Sequence, residues 1–167
     1  MNERGFIMAE ASISYLLLAL SVAALIPAFL MGVKANKNAE KLQIARDLTT
    51  ELLEEIRLRK WDQNGTIPSS KVATPSSIGI DTGETAGSKS TFNDIDDFNG
   101  YTENGVKDPL GNAVTGFERY VRTVTVGYVD PNSMGGSGAA TDLKSITVCT
   151  TPMGLHAVCQ ATVMANR

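Results

Sequence analysis

The chain has 167 residues, a formal charge of −3, two cysteines and a single histidine. That length leaves room for one small domain once a membrane segment is set aside, and no basic block of the kind that binds nucleic acid follows the first helix. No Gly-x-Ser-x-Gly, phosphate loop or His/Cys metal spacing occurs, so no enzymatic function and no cofactor is expected.

The N-terminus carries the first element. Gly5-Phe6 is followed by Glu10 and then by 23 positions, Ala11 to Val33, without a charge. About 20 apolar residues suffice to cross the hydrocarbon core of a bilayer. A carboxylate at the bilayer centre costs about 2.5–3.5 kcal/mol, less towards the interface. Glu10 therefore needs a partner, and its neighbours in sequence offer none. A secretory signal peptide has a basic n-region and an apolar core of about 7–15 residues. Met1-Asn2-Glu3-Arg4 has no net side-chain charge, and the run is too long for that reading. A plain membrane anchor accounts for the run but not for Gly5, Phe6 or Glu10.

On Gly5, Phe6, Glu10 and Pro27 the sequence resembles type IV prepilins and type II secretion pseudopilins, over residues 1–34. The resemblance implies cleavage after Gly5 by a prepilin peptidase and N-methylation of Phe6. It implies that Glu10 neutralises the terminal amine of a neighbouring subunit during assembly. Pro27 stands where that family often has a helix-breaking proline. Its pyrrolidine nitrogen leaves the carbonyl of Ala23 without a helical donor. The implied role is a segment that bends or unwinds on entry into a filament, the alternative being an ordinary kinked membrane helix. Ile7-Met8-Ala9 and Ala11 depart from the family's usual residues. The implied partners are other pilin or pseudopilin subunits, the prepilin peptidase and the inner membrane, with no nucleic acid. The positive-inside rule would hold Lys34, Lys37 and Lys41 in the cytoplasm. The resemblance instead puts the head, from Gly65 onward, in the periplasm, in a single-pass inner-membrane protein that enters a pilus or pseudopilus.

The helix is expected to run on to Trp61. Leu42, Ala45, Leu48, Leu52, Leu53 and Ile56 fall on one arc of a 3.6-residue helix, with Arg46, Asp47, Glu51, Glu54 and Arg57 outside it. Asp62-Gln63-Asn64-Gly65 stops the pattern. Ser, Thr, Gly, Pro and Asn occupy 18 of the 28 positions in 64–91. That stretch reads as a surface loop, with short edge strands proposed at Val72 and Ile78–Ile80. In the next segment Phe92, Ile95, Phe98 and Tyr101 are interleaved with acids and can pin a loop onto a core.

Three strands follow. Arg119 to Val129 alternates, with Val124, Val126 and Tyr128 on one face and Val121, Thr123 and Thr125 on the other. Leu143–Thr150 and Leu155–Met164 flank the turn residues Thr151–Gly154. The fold class is α+β: a long membrane-spanning helix continuing into a small head with an antiparallel sheet, a pilin-like layout. The divisions are a leader over 1–5, a transmembrane and assembly helix over 6–33, an amphipathic helix over 34–61 and a head over 62–167. The loop and strands resemble minor pilins of the PilV or MSHA-biogenesis type.

In the periplasm implied by the resemblance, Cys149 and Cys159 can pair; the alternative is two small buried thiols. A three-residue loop over Pro152–Gly154 makes them diagonal neighbours, and a register centred on Gly154 sets them opposite. His156 falls on an expected strand with no paired acid. Asp94, Asp96 and Asp97 invite a calcium reading, but EF-hand spacing fails, with Ile95 and Val106 at its first and last positions. A solvated turn with no metal is the reading adopted, with calcium the alternative. Two function classes remain, a structural filament subunit and a membrane-anchored recognition or adhesion domain on a pilin-like tail. An exposed aromatic patch on the head would favour the second.

Overall fold

The computed structural model describes residues 3–65 and 71–167; of residues 3–7 and Ala9 only the backbone is described. The chain divides into two compact units, Met1–Glu40 and Lys41–Arg167. One helix, α1 (Glu3–Arg57), contributes to both.

In the first unit α1 includes Pro27 without interruption. Every residue from Glu10 to Lys37 is exposed. The helix is long and apolar enough to cross a membrane. Its serine hydroxyls are satisfied locally. Ser12, Ser14 and Ser21 donate to the carbonyls of Met8, Glu10 and Leu17, four residues back, at 2.9, 3.0 and 2.8 Å. Such back-bonding keeps a hydroxyl from needing a partner in apolar surroundings.

In the second unit the expected amphipathic stripe forms. Ala45, Leu48, Leu52, Leu53 and Ile56 are buried, whereas Leu42 stays 37% exposed. The helix stops at Arg57, four residues short of the expected Trp61. The Leu58 and Arg59 N–H groups close its last turn on Glu54, Glu55 and Ile56. Lys60 then leaves helical geometry to bridge Asp94 in parallel, its carbonyl accepting from the Ile95 N–H at 3.0 Å. Pairing with a distant loop thus outcompetes one more turn.

The sheet has four antiparallel strands in the order β1 (Thr102–Asn104), β2 (Tyr120–Tyr128), β3 (Leu143–Pro152), β4 (Val158–Ala165). β2 alternates as expected, burying Val124, Val126 and Tyr128. β1 has no counterpart in the sequence reading, because Thr-Glu-Asn shows no apolar alternation; its one buried residue is Glu103. The strands proposed at Val72 and Ile78–Ile80 do not form. Instead the Asn166 side chain takes both backbone groups of Val72, each at 2.8 Å, and ties that segment to the end of β4. One core joins Leu52, Leu53 and Ile56 of α1 to Val124, Val126, Ile146 and Val148 of the sheet and to Trp61. Phe92, Ile95, Phe98 and Tyr101 enter the same core. Phe92, Phe98 and Tyr101 pack edge-to-face with centroids 5.0–6.0 Å apart.

The last hairpin takes the register centred on Gly154, whose φ is +79°. β3 extends to Pro152, and the Met153 N–H still bonds the Arg119 carbonyl at 2.8 Å. Cys149 therefore lies opposite Cys159, and the two are joined by a disulfide on the outer face of the sheet. His156 is not on a strand. It sits exposed in the connection between β3 and β4.

Candidate functional site

The residues singled out at the N-terminus all lie on α1. Gly5 and Phe6 belong to its first turns, but their side chains lie outside the described residues, as do residues 1 and 2 of the expected leader. Glu10 is exposed, and its carboxylate has no hydrogen-bond or ion-pair partner among the described residues. Pro27 lies seventeen residues further along the same exposed apolar helix.

The head holds a second concentration of charge, much of it buried. Lys144 alternates in phase with Ile146 and Val148, so its side chain enters the core. Its ammonium donates to Asp96 at 2.7 Å and to the Trp61 carbonyl at 2.8 Å, and lies 3.7 Å from Asp62. It stands 3.8 Å above the Trp61 ring, a cation–π contact. Arg122, in phase with Val124, pairs with Glu103 and donates to the carbonyls of Leu48 and Lys107. Glu103 also accepts the Tyr101 hydroxyl at 2.7 Å. Lys89 reaches Glu55 at 2.8 Å and the Lys107 carbonyl at 3.0 Å. Each buried cation thus faces a carboxylate and at least one backbone oxygen, which is what burial of charge requires.

Asp62 and Asp96 share Lys144 yet titrate in opposite directions. Burial acts to raise Asp62, but N–H donors from Asn64 and Ser76, the Ser76 hydroxyl and Lys144 outweigh it and hold the acid below its ordinary value. Burial dominates at Asp96 and pushes it up to about 6, with Lys144 opposing.

The expected solvated turn over Asp94, Asp96 and Asp97 is overturned: all three side chains are buried, at 0, 1 and 0% exposure. Asp94 Oδ1 accepts the N–H groups of Asp96 and Asp97 at 2.7 and 3.4 Å. Asp97 Oδ2 accepts those of Asn93 and Asp94 at 2.8 and 2.9 Å. The turn closes on its own carboxylates, and the aromatic residues between them carry it into the core. Asp96 faces Lys144, whereas Asp94 and Asp97 converge with Asp81. Burial and the charges of Asp97 and Asp96 push Asp94 up to about 7. Burial, then the neighbouring Asp97 carboxyl, pushes Glu84 up to about 7, and burial with Asp97 and Asp62 raises Asp81.

Lys144 and Arg122 could have been found from sequence, since each interrupts an apolar face at the strand period. Asp81 and Glu84 could not, because they sit in a loop without periodicity. No protein-family model matches the chain, and no curated protein or solved structure matches it either.

Proposed function

We propose that this chain is a structural subunit of a type IV pilus or type II secretion filament, a minor pilin or pseudopilin, made as a precursor that is cleaved after Gly5. The observation behind this reading is Glu10, an acid without a partner among the described residues, at the edge of a helix whose next 23 residues are uncharged and exposed. Such a helix needs apolar surroundings, either lipid or equivalent helices of other copies. An acid in those surroundings needs a cation. Cleavage before Phe6 creates one at the same end of every copy, the new terminal amine. Pairing that amine with Glu10 of a neighbour removes both unpaired charges and sets the axial stagger of the two helices.

The head then lies in the periplasm, where its disulfide persists. The finer likeness to minor pilins of the PilV or MSHA-biogenesis type rests on the sequence of the acidic aromatic loop and of the strands that follow it.

Mass spectrometry of the mature N-terminus tests the reading. The expected first residue is N-methylated Phe6 in cells that contain a prepilin peptidase, and a chain still starting at Met1 in those cells overturns it. A reporter active only in the periplasm, fused after Arg167, is expected to be active. A signal confined to the cytoplasm would mean that Lys34, Lys37 and Lys41 had set the topology.

A further inference from the structure

Five buried carboxylate oxygens lack a hydrogen-bond partner among the described residues: Glu55 Oε1, Asp81 Oδ2, Asp94 Oδ2, Asp96 Oδ1 and Asp97 Oδ1. Two of them belong to acids already neutralised. Glu55 is paired with Lys89 and Arg59, and Asp96 with Lys144. The other three belong to acids that make no salt bridge among the described residues. These same three acids, Asp81, Asp94 and Asp97, each offer an oxygen lying within 4.8 Å of the others.

We propose that Asp81, Asp94 and Asp97 form a calcium site in the head. Convergence and lack of partners are separate observations, and both point to a cation. Asp94 and Asp97 are fully buried, so water does not screen their repulsion. Each is held by one oxygen on backbone N–H groups, which leaves the other oxygen fixed and free. That arrangement is preorganised for a ligand and costly without one.

The geometry selects the ion. Calcium binds oxygen at about 2.3–2.6 Å, so two oxygens on opposite sides of one ion stand about 4.8 Å apart. The spacing of the three carboxylates thus falls within the span that oxygens around a single calcium cover. The donors are all oxygen, which disfavours zinc and copper. Magnesium is bound through one or two carboxylates and keeps most of its water, so three converging acids suit it less well. Glu84 stands beside the site, where its Oε2 accepts the Asp81 N–H at 3.3 Å. Its carboxyl also lies against that of Asp97.

The site joins two stretches of loop that share no regular element. Asp81 lies in the Ser/Thr/Gly-rich stretch, and Asp94 and Asp97 in the buried aromatic turn. Bound calcium would fasten the first stretch onto the second. The inference does not depend on the filament reading, since it rests on the head alone.

Calorimetric titration of the full chain in detergent, stripped with chelator, tests it. One calcium per chain is expected, with a higher thermal midpoint when calcium is present. Asp97→Asn and Asp94→Asn are expected to weaken binding at least about tenfold, as loss of even an indirect ligand contact does. Asp81→Asn, at the partly exposed side of the site, is expected to keep the fold and still lose the calcium-dependent shift in melting. Asp130→Asn, in the turn after β2 and outside the converging group, is expected to bind as wild type does. Absence of calcium binding in the wild-type chain overturns the proposal. So does wild-type binding by Asp81→Asn together with either buried variant, and equal affinity for magnesium overturns the choice of ion.

Discussion

Lys144 Nζ stands 2.7 Å from Asp96 with both side chains withdrawn from solvent, and the same nitrogen caps the face of Trp61 at 3.8 Å. One strand residue thereby ties β3 to the turn after α1 and to the buried acidic loop. Removing one partner of a buried pair costs about 3–5 kcal/mol, because the other charge is stranded. Lys144→Met strands Asp96 and Asp62 together, and a loss of that size is expected in denaturant unfolding of the head. Adding Asp96→Asn to Lys144→Met is expected to recover part of it, as coupled neighbours do. Fully additive losses would show that the two residues do not act as a pair.

Asp62 gives the head an acid-sensitive contribution. Its folded-state pKa lies below the ordinary 3.8, so the folded protein holds the ionised form more readily than the unfolded chain. The stabilisation is present above about pH 4 and is lost as pH falls through the folded value. Asp62→Asn is expected to cost about 2 kcal/mol at neutral pH, the scale of hydrogen bonds to a charged group. The gap between variant and wild type is expected to close below about pH 4. Unfolding curves over pH 3 to 7 measure it, and a constant gap would remove ionisation from the explanation.

Cys149 and Cys159 close a short loop across β3 and β4 on the outer face of the sheet, at a sequence separation of ten. Loop-closure entropy for that length gives about 2–3 kcal/mol. Replacing both by serine is expected to lower head stability by that amount and leave the register intact, because core contacts of Ile146 and Val148 set it. Labelling of unreduced, denatured protein should find no free thiol. Two labelled cysteines in the unreduced protein would contradict the bond.

Glu10→Gln keeps the shape of the side chain and removes its charge. Under the proposed function it leaves cleavage and membrane insertion intact and lowers incorporation into filaments. Glu10→Asp, which keeps the charge with a shorter reach, should fall between. Recovery of each variant in sheared filaments at matched membrane levels measures this. Equal recovery of wild type and Gln would mean that Glu10 only snorkels to the headgroups.

Much of the fold was legible in the sequence because it follows from local periodicity. The uncharged run from Ala11 to Val33 is long and apolar enough for a membrane-length helix, and the arc from Ala45 to Ile56 fixed which face of its continuation is buried. Alternation located β2, and turn residues located the hairpin of β3 and β4. The choices that the sequence left open were made by long-range competition. Lys60 abandons the helix because Asp94 and Ile95 offer it a backbone partner. β1 exists because β2 presents an edge, and its own Thr-Glu-Asn has no pattern to announce it. The bond from Met153 back to Arg119 lengthens β3, and the β3–β4 register centred on Gly154 places the cysteines opposite each other. The acids of 94–97 read as a surface turn, since charge alone favours water. Only the tertiary structure reveals that Phe92, Phe98 and Tyr101 carry them inward, and that Asp81 arrives from a separate loop to meet two of them.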